Sequence, residues 1–416
     1  MMIQGDGVRT KYFYGYNIVA AGFAIQGISI GALFAYGVFF KEFQAEFGWS
    51  RATISGASSL AFFIMGAAGI LAGRLNDRIG PKILIAFAGV SLGIGYLLMS
   101  YMQAPWQLFL LYGLLVGIGY STHDVITLST VARWFIKRRG MMSGIVKVGT
   151  GCGQLCVPLI ASVLIAAYGW RTSCFIIGAI ALAALVAVSR VMRRDPLAMG
   201  LLPDGGNGPS NPTADTSEEY GLTLREVLRA RQFWTLCIAE FVIFSCLLTI
   251  VVHIVPHARD LGLAPSIAAA VLSTIGGVSM LGRFTMGTVN DGIGGRRSLI
   301  ICFVILIGGL VWLQLSKSIL MLFVFATIYG FAHGGLFTVI SPTVAELFGT
   351  GSHGLLFGLV LFSGTLGGAI GPLMAGRIFD VTGSYRLVFI VLTAMALVGI
   401  GLVGTLRPPV KSTGDC

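Results

Sequence analysis

The sequence predicts an all-α integral membrane protein, with twelve transmembrane helices in two pseudo-symmetric six-helix halves. Three observations carry that prediction. The 416 residues are 56% hydrophobic and only 11% charged, with a mean hydropathy of +0.87; a soluble domain carries roughly 25% charge. Twelve apolar runs are long enough to cross a bilayer, for which about 20 residues suffice. The second half repeats the first at an offset of 214 residues: Asp77 returns as Asp291, Gly80 as Gly294, Gly140 as Gly354, Gly144 as Gly358, Pro158 as Pro372 and Gly169 as Gly383. One offset held across six Gly, Pro and Asp landmarks marks a duplicated unit. Parallel repeats of this kind place a substrate site between the halves, near the bilayer midplane.

The spans are expected at 14–40, 53–74, 82–100, 106–134, 140–167 and 173–190, then at 233–257, 265–288, 298–315, 319–347, 354–379 and 387–406. Residues 1–190 and 233–416 are the two bundles, joined by a linker at 191–232. The first run is too long for the core of a signal peptide and reads as the first span. The 58 glycines suit helices that approach closely in lipid. In the linker, Pro196, Pro203 and the Gly-rich run to Pro209 break regular structure. Residues 222–229 then read as a short amphipathic helix lying on the membrane surface. The linker is too short and too rich in Gly and Pro for a soluble catalytic domain.

The net charge of +11 is not a nucleic-acid signal. With both termini in the cytoplasm, 19 of the 28 Lys and Arg residues fall on the cytoplasmic side, 7 on the outer side and 2 inside helices. That asymmetry sets the orientation and lays a basic surface against anionic lipid headgroups. The expected setting is the plasma membrane (the inner membrane of a bacterium), with the protein working as a monomer. The seven cysteines form no metal-spaced cluster with His and suggest neither a disulfide framework nor a metal or cofactor site.

Two inter-helix loops share a signature. One runs from Gly73 through Asp77, Arg78 and Gly80 to Lys82; the other runs from Gly287 through Asp291 and Gly294 to Arg297. Gly73 permits close packing, Asp77 can cap a neighbouring helix N-terminus, and Arg78 and Lys82 can supply its partners. In the second copy Gly292 stands where the first has Arg78. This pattern resembles the inter-helix motif of the major facilitator superfamily, in which the contact latches one access state. The stretch from Trp134 to Gly144, the run Gly37–Phe43, Trp49-Ser50-Arg51, Tyr168–Arg171 and Pro372 to Asp380 resemble monocarboxylate transporters and the related bacterial oxalate/formate antiporters. The Gly149–Gly153 run follows no strand and reads as helix packing rather than a nucleotide loop.

Charges deep in a bilayer are candidate functional groups. Counted from the expected cytoplasmic ends at about 1.5 Å per residue, Asp124, Lys147 and Arg283 lie about 15, 10 and 12 Å deep, in one layer. Arg283 offers a rigid donor fork that matches a carboxylate, and the resemblance implies a substrate-binding Arg on its helix. Lys147 can bind an anion or exchange a proton. Asp124 is the natural partner of either cation and a proton acceptor. His123 titrates near neutral pH when unperturbed, but neighbours in a helix point about 100° apart, so only one of His123 and Asp124 should face a cavity. His333 lies among glycines and is a further proton candidate. Tyr120, Tyr329 and Phe362 could line an apolar wall. Glu240 and His253 are weaker candidates, being thirteen residues apart on one helix.

The chain also departs from its relatives. Phe34 stands where the animal proteins have a functional Lys, and Ser279 where they have an Asp. The antiporter's second cation would fall at Leu361 or Phe362; Leu361 is the repeat counterpart of Lys147. The resemblance therefore implies a transporter of small organic anions by alternating access, not an enzyme. A lactate- or pyruvate-like monocarboxylate moved with a proton fits a layer of two cations and one anion. Exchange of a dicarboxylate such as oxalate is the alternative. A membrane sensor on the same fold would need an appended signalling domain, for which the short tails leave no room.

Overall fold

The computed structural model describes residues 12–206 and 224–407. Among the described residues, twelve helices cross the molecule. They are α1 (Gly15–Phe47), α2 (Arg51–Ile79), α3 (Pro81–Met99), α4 (Pro105–Trp134), α5 (139–168), α6 (170–189), α7 (Arg231–Asp260), α8 (Pro265–Ile293), α9 (Gly295–Leu315), α10 (Ile319–Phe348), α11 (His353–Thr382) and α12 (Arg386–Gly404). No strand occurs among the described residues.

The fifth and sixth spans are two helices that meet at a bend at Gly169. Its φ of 78° lies in the left-handed region, where a side chain would be strained. The fourth span is not one regular helix. Residues Phe109–Val116 are a π-helix, and the chain turns at Ser121 and Thr122 before His123–Trp134 resumes. The inserted turn displaces the register of everything after it, a feature often found beside functional groups.

Gly80 and Gly294 carry the tight turns after α2 and α8 with the same φ of 82°. Both turns lie on the face that also carries the α6–α7 linker, called here the linker face. Asp204 pins the linker to the α4–α5 loop by accepting from the Ile136 and Lys137 N–H groups at 3.0 and 2.9 Å. The amphipathic helix is present as Leu224–Arg229 with Val227 buried; Leu222 and Thr223 lie outside the described residues, as do Arg9, Lys11, Lys411 and Cys416.

Glycine sets the helix crossings. A Cβ on Gly149 would lie 2.2 Å from the Phe23 carbonyl oxygen, and one on Gly153 2.0 Å from that of Gly27, so α5 lies directly on α1. At the linker face α2 meets α11 and α5 meets α8. A Cβ on Gly73 would stand 2.1 Å from the Gly354 oxygen, and one on Gly140 2.2 Å from the Gly287 oxygen. The two crossings are repeat counterparts. Further from that face, Leu155, Leu159 and Ile160 on α5 and Ile370 and Leu373 on α11 are exposed. The protein is closed at the linker face, whereas further along α8 nothing lies within 4 Å of a Cβ on Gly276 or Gly277.

Candidate functional site

The break in α4 builds one wall of the site. Its interruption leaves the Tyr120 carbonyl without a helical partner, and the His123 ring takes it through Nδ1 at 2.5 Å. A carbonyl only accepts, so Nδ1 carries the hydrogen. The ring then presents Nε2 to Asp124 Oδ2 at 3.3 Å. Both neighbours therefore face the same space, contrary to the expectation for a continuous helix: α4 restarts at His123, and the two side chains leave from its first turn.

Asp124 is held on several sides. Lys147 Nζ lies 2.7 Å from Oδ1, and Gln26 Nε2 donates to the same oxygen at 2.8 Å. Gln26 also bonds Thr127 and the His123 carbonyl, while its own oxygen accepts from the Thr150 hydroxyl at 2.8 Å. Lys147 lies 5.4 Å from the Phe337 ring centroid, a cation–π contact that crosses from α5 to α10. Gln26, Thr150 and Phe337 were not singled out in the sequence. A polar residue on α1 opposite the α4 carboxylate was the available signal for Gln26.

Arg283 comes from α8 and is only 3% exposed. Its Nη1 donates to the Lys147 carbonyl at 3.0 Å, and its Nε, buried, has no partner. The expected pairing of Asp124 is thus with Lys147, while Arg283 spends one donor on backbone and keeps capacity for an incoming acceptor. His333 is buried with Nδ1 unpartnered, its ring 4.9 Å from Phe337, the ring that also carries Lys147.

The aromatic candidates part company. Tyr120 is fully buried against Tyr112, inside the first six helices. Tyr329 is fully buried and gives its hydroxyl to the Leu247 carbonyl at 2.7 Å. Phe362 sits between α11 and α2, its ring 6.4 Å from Phe63. Phe34 is 40% exposed.

At the linker face, Asp77 accepts from the Gly354 and Leu355 N–H groups at 3.0 and 2.9 Å, capping α11 across the halves. Asp291 does the same for Gly140 and Met141 at 2.5 and 2.8 Å, capping α5. The cation beside Asp77 is Arg133 at 2.6 Å, not Arg78, whose side chain is exposed. Arg133 ends α4, so it reaches the carboxylate from within the bundle, whereas Arg78 lies past it on the surface.

Glu240 on α7 belongs with this layer, although thirteen residues separate it from His253. It is 2% exposed, and one turn along α7 the Phe244 ring meets Phe337, which carries Lys147. His253 lies two turns beyond the Phe244 side of the layer and bonds Tyr385 and the Pro372 carbonyl. No group of His, Cys, Asp and Glu suited to a metal ion occurs among the described residues.

The chain as a whole has known relatives. Residues 22–289 and 247–415 match the model of the Major Facilitator Superfamily. The chain is 29% identical to monocarboxylate transporter 13 of Bos taurus over 403 residues, 94% of this chain and 89% of that one. It is 25% identical to monocarboxylate transporter 2 of Homo sapiens over 393 residues, 90% and 82% of the two chains. The proton:xylose symporter XylE bound to 6-bromo-6-deoxy-D-glucose shares the fold, with a TM-score of 0.76 at 14% identity over 95% of this chain and 96% of that one. Two closely packed repeats, a polar layer buried between them and these likenesses lead to one conclusion: the chain belongs to the Major Facilitator Superfamily, is similar to its monocarboxylate transporters, and is a membrane transporter rather than an enzyme.

Proposed function

We propose that this transporter moves a small monocarboxylate, of the size of lactate or pyruvate, together with a proton by alternating access. Both termini would lie in the cytoplasm of a plasma-membrane protein that acts as a monomer, so the structure would represent a state closed towards the cytoplasm. The observation that carries the reading is Arg283. Its guanidinium is buried at the junction of α8 and α5, bonds only the Lys147 carbonyl among the described residues and retains a donor edge with an unpartnered Nε. Such a fork binds a carboxylate through two charge-assisted hydrogen bonds. The likeness to monocarboxylate transporters of two mammals supports the same substrate class.

The mechanism follows from competition for cations. In the empty protein Lys147 is satisfied by Asp124, and Arg283 is the under-occupied cation. An anion entering from the open side meets Arg283 first. Its charge offsets that of the guanidinium, which lowers the cost of exposing the layer to the low-dielectric interior during the swing between states. Opening of the linker face then requires release of the Asp77 and Asp291 caps. Proteoliposomes tested with labelled lactate, with and without an inward proton gradient, decide the matter. Gradient-driven accumulation is expected. Uptake of oxalate only in exchange for an internal anion, indifferent to the gradient, would replace this reading with dicarboxylate antiport.

A further inference from the structure

Glu240 is the buried acid of the layer that the ion pairs leave out. Its Oε2 has no hydrogen-bond partner. Its Cγ stands where a Cβ on Gly364 would lie 2.9 Å away, so the side chain leans on α11 at a position where only a glycine leaves room. One turn further along α7, the Phe244 ring meets Phe337 at 4.8 Å, and Phe337 carries Lys147 at 5.4 Å. The carboxyl thus shares one contiguous wall with the Lys147–Asp124 pair. The repeat offset of 214 makes Glu240 the counterpart of Gln26. The first half places a neutral amide where the second places an acid, and the amide is fully engaged in hydrogen bonds.

The charge balance of the site depends on this acid. With His123 counted as neutral, Asp124 cancels Lys147, leaving Arg283. With Glu240 ionised the layer is neutral and has little attraction for an anion. With Glu240 protonated it carries one positive charge, which matches one carboxylate. A partnerless carboxylate in a membrane interior is also costly, by about 3 kcal/mol on insertion scales. Asp124, by contrast, accepts from Lys147 and Gln26 and faces His123, so protonating it would discard an ion pair.

We propose that Glu240, rather than Asp124, binds the proton that travels with the substrate. This rests on the reading of the protein as a proton–carboxylate symporter. The other titratable or charged groups of the layer are Lys147, Asp124 with His123, Arg283 and His333, with Cys237 one turn away on α7. The facing stretch of α11, residues 360–368, and α12 between Arg386 and Arg407 add none. The carboxylate takes one proton from the open side and becomes neutral, and the anion then binds Arg283. Each event favours the other by the same factor, since coupling is reciprocal. Loss of the anion on the other side returns the layer to a state that releases the proton.

Two measurements on the full-length protein test this. In infrared pH-difference spectra, wild type should show the carbonyl stretch of a protonated carboxylic acid that is missing in Glu240→Gln. This readout needs no substrate. In proteoliposomes, one co-transported proton sets lactate accumulation at about tenfold per pH unit of gradient. Glu240→Gln should bring the ratio of uptake with and without the gradient to unity, and Glu240→Asp, which keeps a carboxyl, should restore part of it. Identical infrared spectra, or a Glu240→Gln protein that still accumulates lactate on a gradient, overturn the proposal. If wild type takes up no lactate while the infrared band is lost in Glu240→Gln, the proton site stands and the carboxylate reading fails.

Discussion

Asp77 and Asp291, 214 residues apart, each cap a helix of the opposite half, Asp77 the N-terminus of α11 and Asp291 that of α5. Each carboxylate accepts two backbone N–H groups that the helix start leaves unpaired, where the helix dipole also favours a negative charge. Two matched caps close one face of the molecule. Asp77 also holds the Arg133 guanidinium at 2.6 Å.

Asp77→Asn keeps one acceptor but loses the charge and the Arg133 pair. It should shift the equilibrium away from closure of the linker face by about 2 kcal/mol, or about thirtyfold. Asp291→Asn should do so less. Cysteine labelling near Gly73 and Gly140, compared from each side of the membrane, reads the shift. Equal accessibility in wild type and both variants would show the carboxylates to be local turn residues.

The same closure can be blocked by size alone. Gly73→Ala puts a methyl 2.1 Å from the Gly354 oxygen, and Gly140→Ala puts one 2.2 Å from the Gly287 oxygen. Neither obstacle is a flexible side-chain end. Both variants should hold the linker face apart and cut net uptake at least about tenfold, an effect of roughly 1.4 kcal/mol on the closed state, while Gly37→Ala, with nothing within 4 Å, should be silent. Distance measurements between spin labels on α2 and α11 would separate this from simple misfolding. An unchanged distance distribution in Gly73→Ala would mean that the helices can cross without this contact.

The twelve spans and the duplication were legible because hydropathy and an offset of 214 are properties of the chain itself. So was the layer of Asp124, Lys147 and Arg283, from depth counts that assume regular helices. The assumption holds for Asp124, counted within His123–Trp134, and fails earlier in α4. Nothing in Phe109–Val116 spells out a π-helix or the turn that follows it at Ser121 and Thr122, and so the contact between His123 and Asp124 was not legible. Arg133 was missed as the partner of Asp77 because 56 residues separate them and Arg78 is adjacent in sequence. Glu240 was undervalued by comparing it with His253 on its own helix. The repeat, applied to Gln26, points to it directly.

The Asp124–Lys147 pair should behave as a unit. Removing one member leaves the other charge buried, at a cost of about 3–5 kcal/mol. Asp124→Asn and Lys147→Gln should each lower the thermal midpoint of the purified protein sharply, and the double variant should recover much of the loss. Additive single effects in that cycle would show that the 2.7 Å contact contributes little. Asp124→Asn should still accumulate lactate on a proton gradient if Glu240 carries the proton; a collapse of the gradient ratio in Asp124→Asn alone would return that role to Asp124.

Arg283→Lys tests the substrate reading at its narrowest point. The substitution keeps the positive charge and most of the buried stem, so the layer's electrostatics change little. It removes the planar fork, the Nη1 bond to the Lys147 carbonyl at 3.0 Å and the unpartnered Nε. An ammonium can still attract an anion, but it cannot hold both carboxylate oxygens and the backbone carbonyl in one plane. Loss of one charge-assisted hydrogen bond is worth about 1.5–3 kcal/mol, so carboxylate uptake at subsaturating concentration should fall between about tenfold and about 150-fold. Because the charge is retained, dependence on the proton gradient should survive in whatever uptake remains. If Arg283→Lys transports lactate at the wild-type rate with equal amounts of protein in the membrane, Arg283 does not clamp a carboxylate, and Lys147 becomes the cation to examine.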